Sequence, residues 1–336
     1  MMMDYVPPTL QRGGHAQSIM AATVSVAPHP AWQRTRWELD DGDFCDVDWL
    51  HPLTKGGNGN SKDNTKDTAK NTAKDAHLLV LFHGLEGSSA SHYARSVGAH
   101  FQSLGWRVVV PHFRGCSGEP NRLLRAYHSG DAAEIKRLLG IVRGQYPAAP
   151  MYAAGVSLGG NALLCYLSER NTDCPLQSAA SICAPLDLGR CGEAITTGFS
   201  NIYNTMFMRT LLAKTMAKRA RFPAACDWDA LQATKTLYQF DDIFTGPIHG
   251  YAGTLDYYAR ASAKPKLRHI TTATLLLNAL NDPFVPADIL RDLVLPAAIK
   301  VHQTAEGGHV GFATGSGRGE LTWLPRRLLQ WFEAAV

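Results

Sequence analysis

No window of this sequence reaches about 18 uninterrupted apolar residues, so no membrane-spanning helix is expected. Paired cysteines are also missing. The seven thiols at Cys45, Cys116, Cys165, Cys174, Cys183, Cys191 and Cys226 are odd in number, scattered, and form no Cys-x-x-Cys. Neither a zinc site nor a disulfide framework is indicated, and reduced thiols in a cytoplasmic protein are the expected state. The opening Met-Met-Met-Asp-Tyr-Val-Pro-Pro has no basic flank, apolar core or cleavage site, so no secretory leader is expected. An excess of one charge is lacking: 33 Lys and Arg against 29 Asp and Glu leave a formal net charge of +4, and no basic stripe stands out, so no nucleic-acid partner is expected. His128-Ser-Gly-Asp131 is a single ligand-like pair where a metal needs three or four donors, so neither metal nor other cofactor is expected.

What is present is a core-forming pattern. A chain of 336 residues, 45% hydrophobic, is long enough for one large domain with an inserted cap, or for two ordinary domains. Residues up to about Pro30, with the odd cluster Gly13-Gly14-His15-Ala16-Gln17-Ser18, read as an extended arm lying on the core. Gln33–Leu39 and Phe44–Leu50 read as a strand pair joined by the Asp/Gly turn Asp40-Asp41-Gly42-Asp43, one edge of a mixed sheet. Residues 54–75 turn abruptly to Lys, Asn, Asp, Thr and Gly, and are expected to be a disordered surface loop.

From His77 the pattern alternates. Buried-type strands are expected at His77–His83, Trp106–Pro111, Pro150–Gly155 and Ser178–Ala184, with helices at Ser91–Leu104 and Gly130–Tyr146 and after Ser157. Residues 188–268 then read as helical, rich in aromatics and Met. Strands return at Ala273–Asn278 and Ala297–His302, and an amphipathic helix closes the chain at Leu321–Ala335. This predicts one α/β domain over 1–336: a mostly parallel, doubly wound sheet, with a helical cap over 188–268 inserted before the last two strands.

Three residues carry the candidate chemistry. Gly155-Val-Ser157-Leu-Gly159 lies at a strand-to-helix corner, the context in which a sharp turn lifts a serine hydroxyl above a sheet. A helix N-cap is the plainer reading of that serine. Asp282, in Asn281-Asp282-Pro283, follows the first strand after the cap, where a carboxylate can orient a histidine; the triplet is also a turn former. His309, in Glu306-Gly-Gly-His309, follows the last strand and is placed to act as general base. The order Ser157, Asp282, His309 is the one a nucleophile-elbow hydrolase uses. Its oxyanion hole would use the backbone N–H of Leu158, next to the serine. The second donor would come from the turn His83-Gly84-Leu85-Glu86, with Leu85 N–H preferred and Glu86 N–H the choice in a wider turn. His83 is expected to bond neighbouring backbone and shape that turn. In the cap, the basic and apolar residues of Met206–Arg221 overlap around the helical wheel, which favours a packed helix over one lying on a membrane surface, although peripheral membrane contact stays open.

Four segments together are similar to one family. His83-Gly-Leu-Glu-Gly-Ser88, Pro111-His-Phe-Arg-Gly-Cys-Ser-Gly-Glu-Pro-Asn-Arg122, Tyr127-His-Ser-Gly-Asp131 and Gly155-Val-Ser-Leu-Gly-Gly-Asn161 resemble the YheT-like α/β-hydrolases. That family takes in bacterial hydrolases, fungal medium-chain ester synthases/esterases and animal lipid hydrolases. The resemblance runs from about His15 to the C-terminus; the 54–75 insertion departs from it and touches no candidate catalytic position. It implies the same trio of Ser157, Asp282 and His309. The expected activity is hydrolysis of small-molecule or lipid esters with short- to medium-chain acyl groups, through an acyl-enzyme. Acyl transfer to an alcohol, or a catalytically idle scaffold binding a lipid or protein partner, are the alternatives. No sequence feature sets an oligomeric state.

Overall fold

The computed structural model describes residues 4–53, 76–169, 174–291 and 293–335; the loop expected over 54–75 lies outside them. Within the described residues, eight strands form one sheet: β1 Gln33–Glu38, β2 Phe44–Leu50, β3 Leu78–Phe82, β4 Arg107–Pro111, β5 Met151–Val156, β6 Ser178–Ile182, β7 Thr274–Ala279 and β8 Ile299–Thr304. Their spatial order is β1-β2-β4-β3-β5-β6-β7-β8. The β1–β2 and β2–β4 pairings are antiparallel, and every pairing from β4 to β8 is parallel. The mostly parallel, doubly wound α/β arrangement expected from the alternation is therefore the one observed.

Covering helices explain why the central strands read as unbroken apolar runs. The helices are α1 Gly14–Thr23, α2 His92–Ser103, α3 Ala132–Gln145 and α4 Leu158–Glu169, then α5 Leu188–Thr196, α6 Asn201–Met216, α7 Trp228–Ala233, α8 Leu237–Phe240, α9 Gly246–Ile248 and α10 Thr254–Ala261, and finally α11 Trp323–Ala334. Side chains alternate across a strand. Val80 and Phe82 of β3 pack with Ile135 of α3 and Leu163 of α4. Leu79 and Leu81, on the other face, pack with Phe101 of α2 and Phe332 of α11. Helices α5 to α10 all fall between β6 and β7. Among the described residues no helix is long and apolar enough to cross a membrane.

Two expectations need correction. The N-terminal stretch is not simply an extended arm: it carries α1, which starts after Gly13 without a side-chain cap and buries Gln17, Ser18 and Ala21. Ala16, Gln17, Met20, Ala21 and Ala22 are good helix formers, but a ten-residue helix is marginal on its own, and contacts with distant loops stabilise it. The last strand begins two residues later than expected, at Ile299. Pro296 accepts a turn hydrogen bond from Ile299 N–H, and pairing with β7 then sets Thr274 opposite Ile299.

Candidate active site

Ser157 sits between β5 and α4 with φ of 52°, a left-handed conformation that costs a non-glycine residue about 1–2 kcal/mol. Neighbouring structure holds it there. Ser157 N–H donates to Ile182 O at 2.8 Å, and Asn161 N–H donates to Ser157 O at 3.1 Å. The flanking glycines are required by close packing. A Cβ on Gly155 would stand 2.5 Å from Gly159 O, and one on Gly159 would stand 2.5 Å from His83 O and 2.6 Å from Phe82 O. The strand, the turn and the next helix meet too closely for side chains.

The structure brings all three candidate residues together. His309 Nε2 lies 3.0 Å from Ser157 Oγ, and His309 Nδ1 lies 2.8 Å from Asp282 Oδ2. The carboxylate needs a donor at Nδ1, so Nε2 is left bare to accept the serine proton. Asp282 is also a turn former: its Oδ1 accepts from Phe284 N–H at 2.8 Å and Val285 N–H at 3.1 Å. One carboxylate thus makes the turn contacts and the contact with His309 at once. Its side chain is fully buried, whereas that of His309 is 14% exposed and faces Phe284, ring centroids 4.4 Å apart. His92, kept neutral by burial with its pKa lowered to about 4, lies with Nε2 3.0 Å from Val310 O and steadies the loop behind His309.

The turn after β3 passes directly beside the serine: a Cβ on Gly84 would be 3.2 Å from Ser157 Cβ. His83 shapes this turn as expected. Its Nδ1 lies 2.8 Å from Gly84 O and its Nε2 accepts from Phe113 N–H at 3.0 Å. Burial holds the ring neutral, with its pKa lowered to about 3. Glu86 N–H is already used, donating to the Tyr127 hydroxyl at 2.9 Å. Among the described residues no acceptor takes the N–H of Leu85 or of Leu158, and both residues line the cavity above Ser157.

That cavity measures about 240 Å³. Ser157 and His309 line it together with Ile195, Phe207, Leu211, Phe240 and Phe244. These apolar residues come from the helices between β6 and β7. The basic residues singled out on α6 divide by position. Arg209 is exposed, Lys214 bonds Glu86 at 3.0 Å, and Lys218 just beyond the helix is buried. Lys218 Nζ donates to Asn121 Oδ1 at 2.7 Å and to the carbonyls of Leu123 and Leu124. Lys214 and Lys218 anchor this segment, while Arg209 stays on its outer face.

Other titratable groups have quieter roles. Cys116 lies beside the cavity, but burial raises its thiol to about 12, which withholds the thiolate a nucleophile needs. His128 Nε2 is 3.8 Å from Asp131 Oδ2, and burial beside His249 lowers its pKa to about 2. Among the described residues, the one grouping of three metal-type donors is Cys183, Asp282 and His309. Burial drives the Cys183 thiol well above its ordinary range, and Asp282 and His309 already bond one another, so this set suits a hydrogen-bonded pair more than a cation.

Sequence reasoning missed the partners that hold the loops. Gln17, Ser18 and Asn281 bond the backbone around His309, and Tyr127 and Lys214 bond Glu86. The cluster at Gly13–Ser18 was visible, but nothing local says what a buried glutamine touches 290 residues away.

Comparison with known proteins places the chain. The family model described as "alpha/beta hydrolase fold" matches residues 77–316. The chain is 38% identical over 305 residues to "Putative esterase YheT" of Escherichia coli (strain K12), covering 90% of this chain and 84% of that one. It is 27% identical over 335 residues to "Phospholipase ABHD3" of Homo sapiens, covering 99% of this chain and 79% of that protein. Among solved structures, an esterase of Pyrococcus furiosus, Pf2001, superposes with a TM-score of 0.54 at 12% identity, covering 92% of this chain and 95% of that one. These relatives and neighbours carry esterase and phospholipase names.

Proposed function

The chain belongs to the α/β-hydrolase family, and on that premise we propose that it hydrolyses carboxylic esters through an acyl-enzyme formed on Ser157. The observation that carries this reading is the unbroken line from Ser157 Oγ through His309 to Asp282, at 3.0 Å and 2.8 Å, opening on an apolar cavity.

Ser157 Oγ attacks the ester carbonyl carbon as its proton passes to His309 Nε2. Asp282 holds Nδ1–H and offsets the charge of the imidazolium. The carbonyl oxygen becomes an oxyanion between Leu85 N–H and Leu158 N–H, a stabilisation commonly worth about 2.7–4 kcal/mol per donor. Collapse returns the carbonyl, and His309 gives its proton to the departing alkoxide. Water, deprotonated by His309, then attacks the acyl-enzyme; the acid leaves and Ser157 recovers its proton. No step calls on a cofactor.

The apolar walls support a short- to medium-chain acyl group, and the phospholipase name of one relative supports a lipid ester as substrate. All seven cysteines are unpaired, which supports a reducing, cytoplasmic setting. Purified protein is expected to hydrolyse p-nitrophenyl acyl esters within C2 to C12, and a fluorophosphonate should label Ser157. Ser157→Ala should lose activity by roughly 10⁴-fold or more and resist the label. Full activity in that variant would sink the reading.

A further inference from the structure

The helix α1 is far from Ser157 in sequence, and the mechanism above gives it no part. Yet Gln17, on its inner face, is 1% exposed and its carboxamide bonds on every side. Gln17 Oε1 accepts from Asn281 Nδ2 at 3.0 Å and from Gly307 N–H at 2.8 Å. Gln17 Nε2 donates to Gln11 O at 2.9 Å and to Glu306 Oε2 at 2.9 Å. Asn281 immediately precedes Asp282, and Gly307 lies two residues before His309. One side chain therefore joins the loop that carries the acid to the loop that carries the histidine.

Its neighbours complete the clamp. Ser18 Oγ accepts from His309 N–H at 2.8 Å, and Asn281 Oδ1 accepts from Gly308 N–H at 2.9 Å. The backbones themselves are in contact. A Cβ on Gly14 would overlap Asn281 O, and one on Gly308 would overlap Gly14 O. Only an amide of this length offers two acceptor sites to one pair of donors and two donors to the opposite side. A carboxylate would repel Glu306 and donate nothing, and an apolar chain would leave Gly307 N–H and Asn281 Nδ2 without partners.

We propose that Gln17 and Ser18 are positioning residues, which set the place of His309 against Asp282 and Ser157 by fixing both loops to α1. This rests on the reading of Ser157, His309 and Asp282 as the catalytic trio. Such a role has a distinct kinetic signature. Misplacing a base by about 1 Å costs on the order of 10²-fold in rate, while the substrate cavity, built from other helices, is untouched.

The test compares Gln17→Met, Ser18→Ala and Ser18→Thr with the full-length parent, on a p-nitrophenyl ester and on a fluorophosphonate probe. Circular dichroism and melting serve as folding controls. Gln17→Met is expected to lower kcat and the labelling rate together by about 10- to 100-fold, with KM changing less than about threefold. Ser18→Ala should lose roughly tenfold in kcat, and Ser18→Thr, which keeps the hydroxyl, should recover most of it. The Ser18 pair decides the matter if Gln17→Met does not fold. The proposal is overturned if folded variants keep kcat and labelling within twofold of the parent. It is equally overturned if the whole loss appears in KM, or if Ser18→Thr behaves as Ser18→Ala. Failure of the trio itself would look different: the parent would resist the probe, or Ser157→Ala would stay active.

Discussion

At Asp241 a carboxyl group lines the cavity, bonded to the Tyr258 hydroxyl at 3.0 Å and without a salt-bridge partner among the described residues. Burial pushes its pKa up from 3.8 to about 7. A raised folded value means that folding favours the protonated form. That contribution is whole below the unfolded value near 4 and is lost as pH rises through about 7. Asp241→Asn cannot ionise and escapes the loss. The variant should gain on the parent between pH 5 and pH 8, by on the order of 1–4 kcal/mol. Thermal melts at the two pH values measure it, and an unchanged difference between them would count against the assignment. Single residues also show what a sequence can and cannot display. Ser157, Asp282 and His309 were legible because each stands at a strand end with small or turn-forming neighbours, which is a local pattern. Gln17 was not legible, because its importance lies in four bonds to groups that only folding brings near.

At the scale of elements, the same contrast separates strands from α1. Strands β3 to β7 are buried at every position, so hydrophobic continuity alone announced them. The edge strand β8 mixes buried and open positions, and its start was misplaced until pairing with β7 fixed the register. The turn after β3 is tied to α6 in a way no local pattern reveals. Glu86 Oε1 accepts from the Tyr127 hydroxyl at 2.8 Å and from Lys214 Nζ at 3.0 Å, while Glu86 N–H donates to the same tyrosine. This network leaves Leu85 N–H as the free donor of the turn. Because the Lys214 side chain is 41% exposed, its ion pair adds little stability. Lys214→Met should shift Tm by no more than about 2–4 °C. Loosening the turn should still lower kcat/KM about 3- to 10-fold, since a displaced donor stabilises the oxyanion less. Steady-state kinetics beside a melting curve test this, and an unaltered kcat/KM would mean that the turn is held without Lys214.

In the whole molecule, the chemistry and the cavity walls belong to different layers. The sheet and its flanking helices place Ser157, Asp282 and His309 at strand ends, whereas α5 to α9 and the turns among them supply Ile195, Phe207, Leu211, Phe240 and Phe244. The helices around Met208, Trp228, Leu231, Phe240 and Phe244 bury their own apolar cluster, separate from the two clusters that sandwich the sheet. Changes in the walls should then alter which acyl chain fits without altering the reactivity of the serine. Leu211→Trp puts a larger ring into the cavity from α6, on a half-buried site that can accept bulk. Each methylene that no longer fits is worth about 1–3 kcal/mol in kcat/KM. The variant should therefore lose at least about tenfold on C8 to C12 esters, stay within about threefold on C2 to C4, and react with a small fluorophosphonate at the parent rate. A uniform loss across chain lengths would place the acyl group elsewhere. A loss confined to the long esters would show that the inserted helices choose the substrate, and that the sheet edge performs the reaction on whatever they admit.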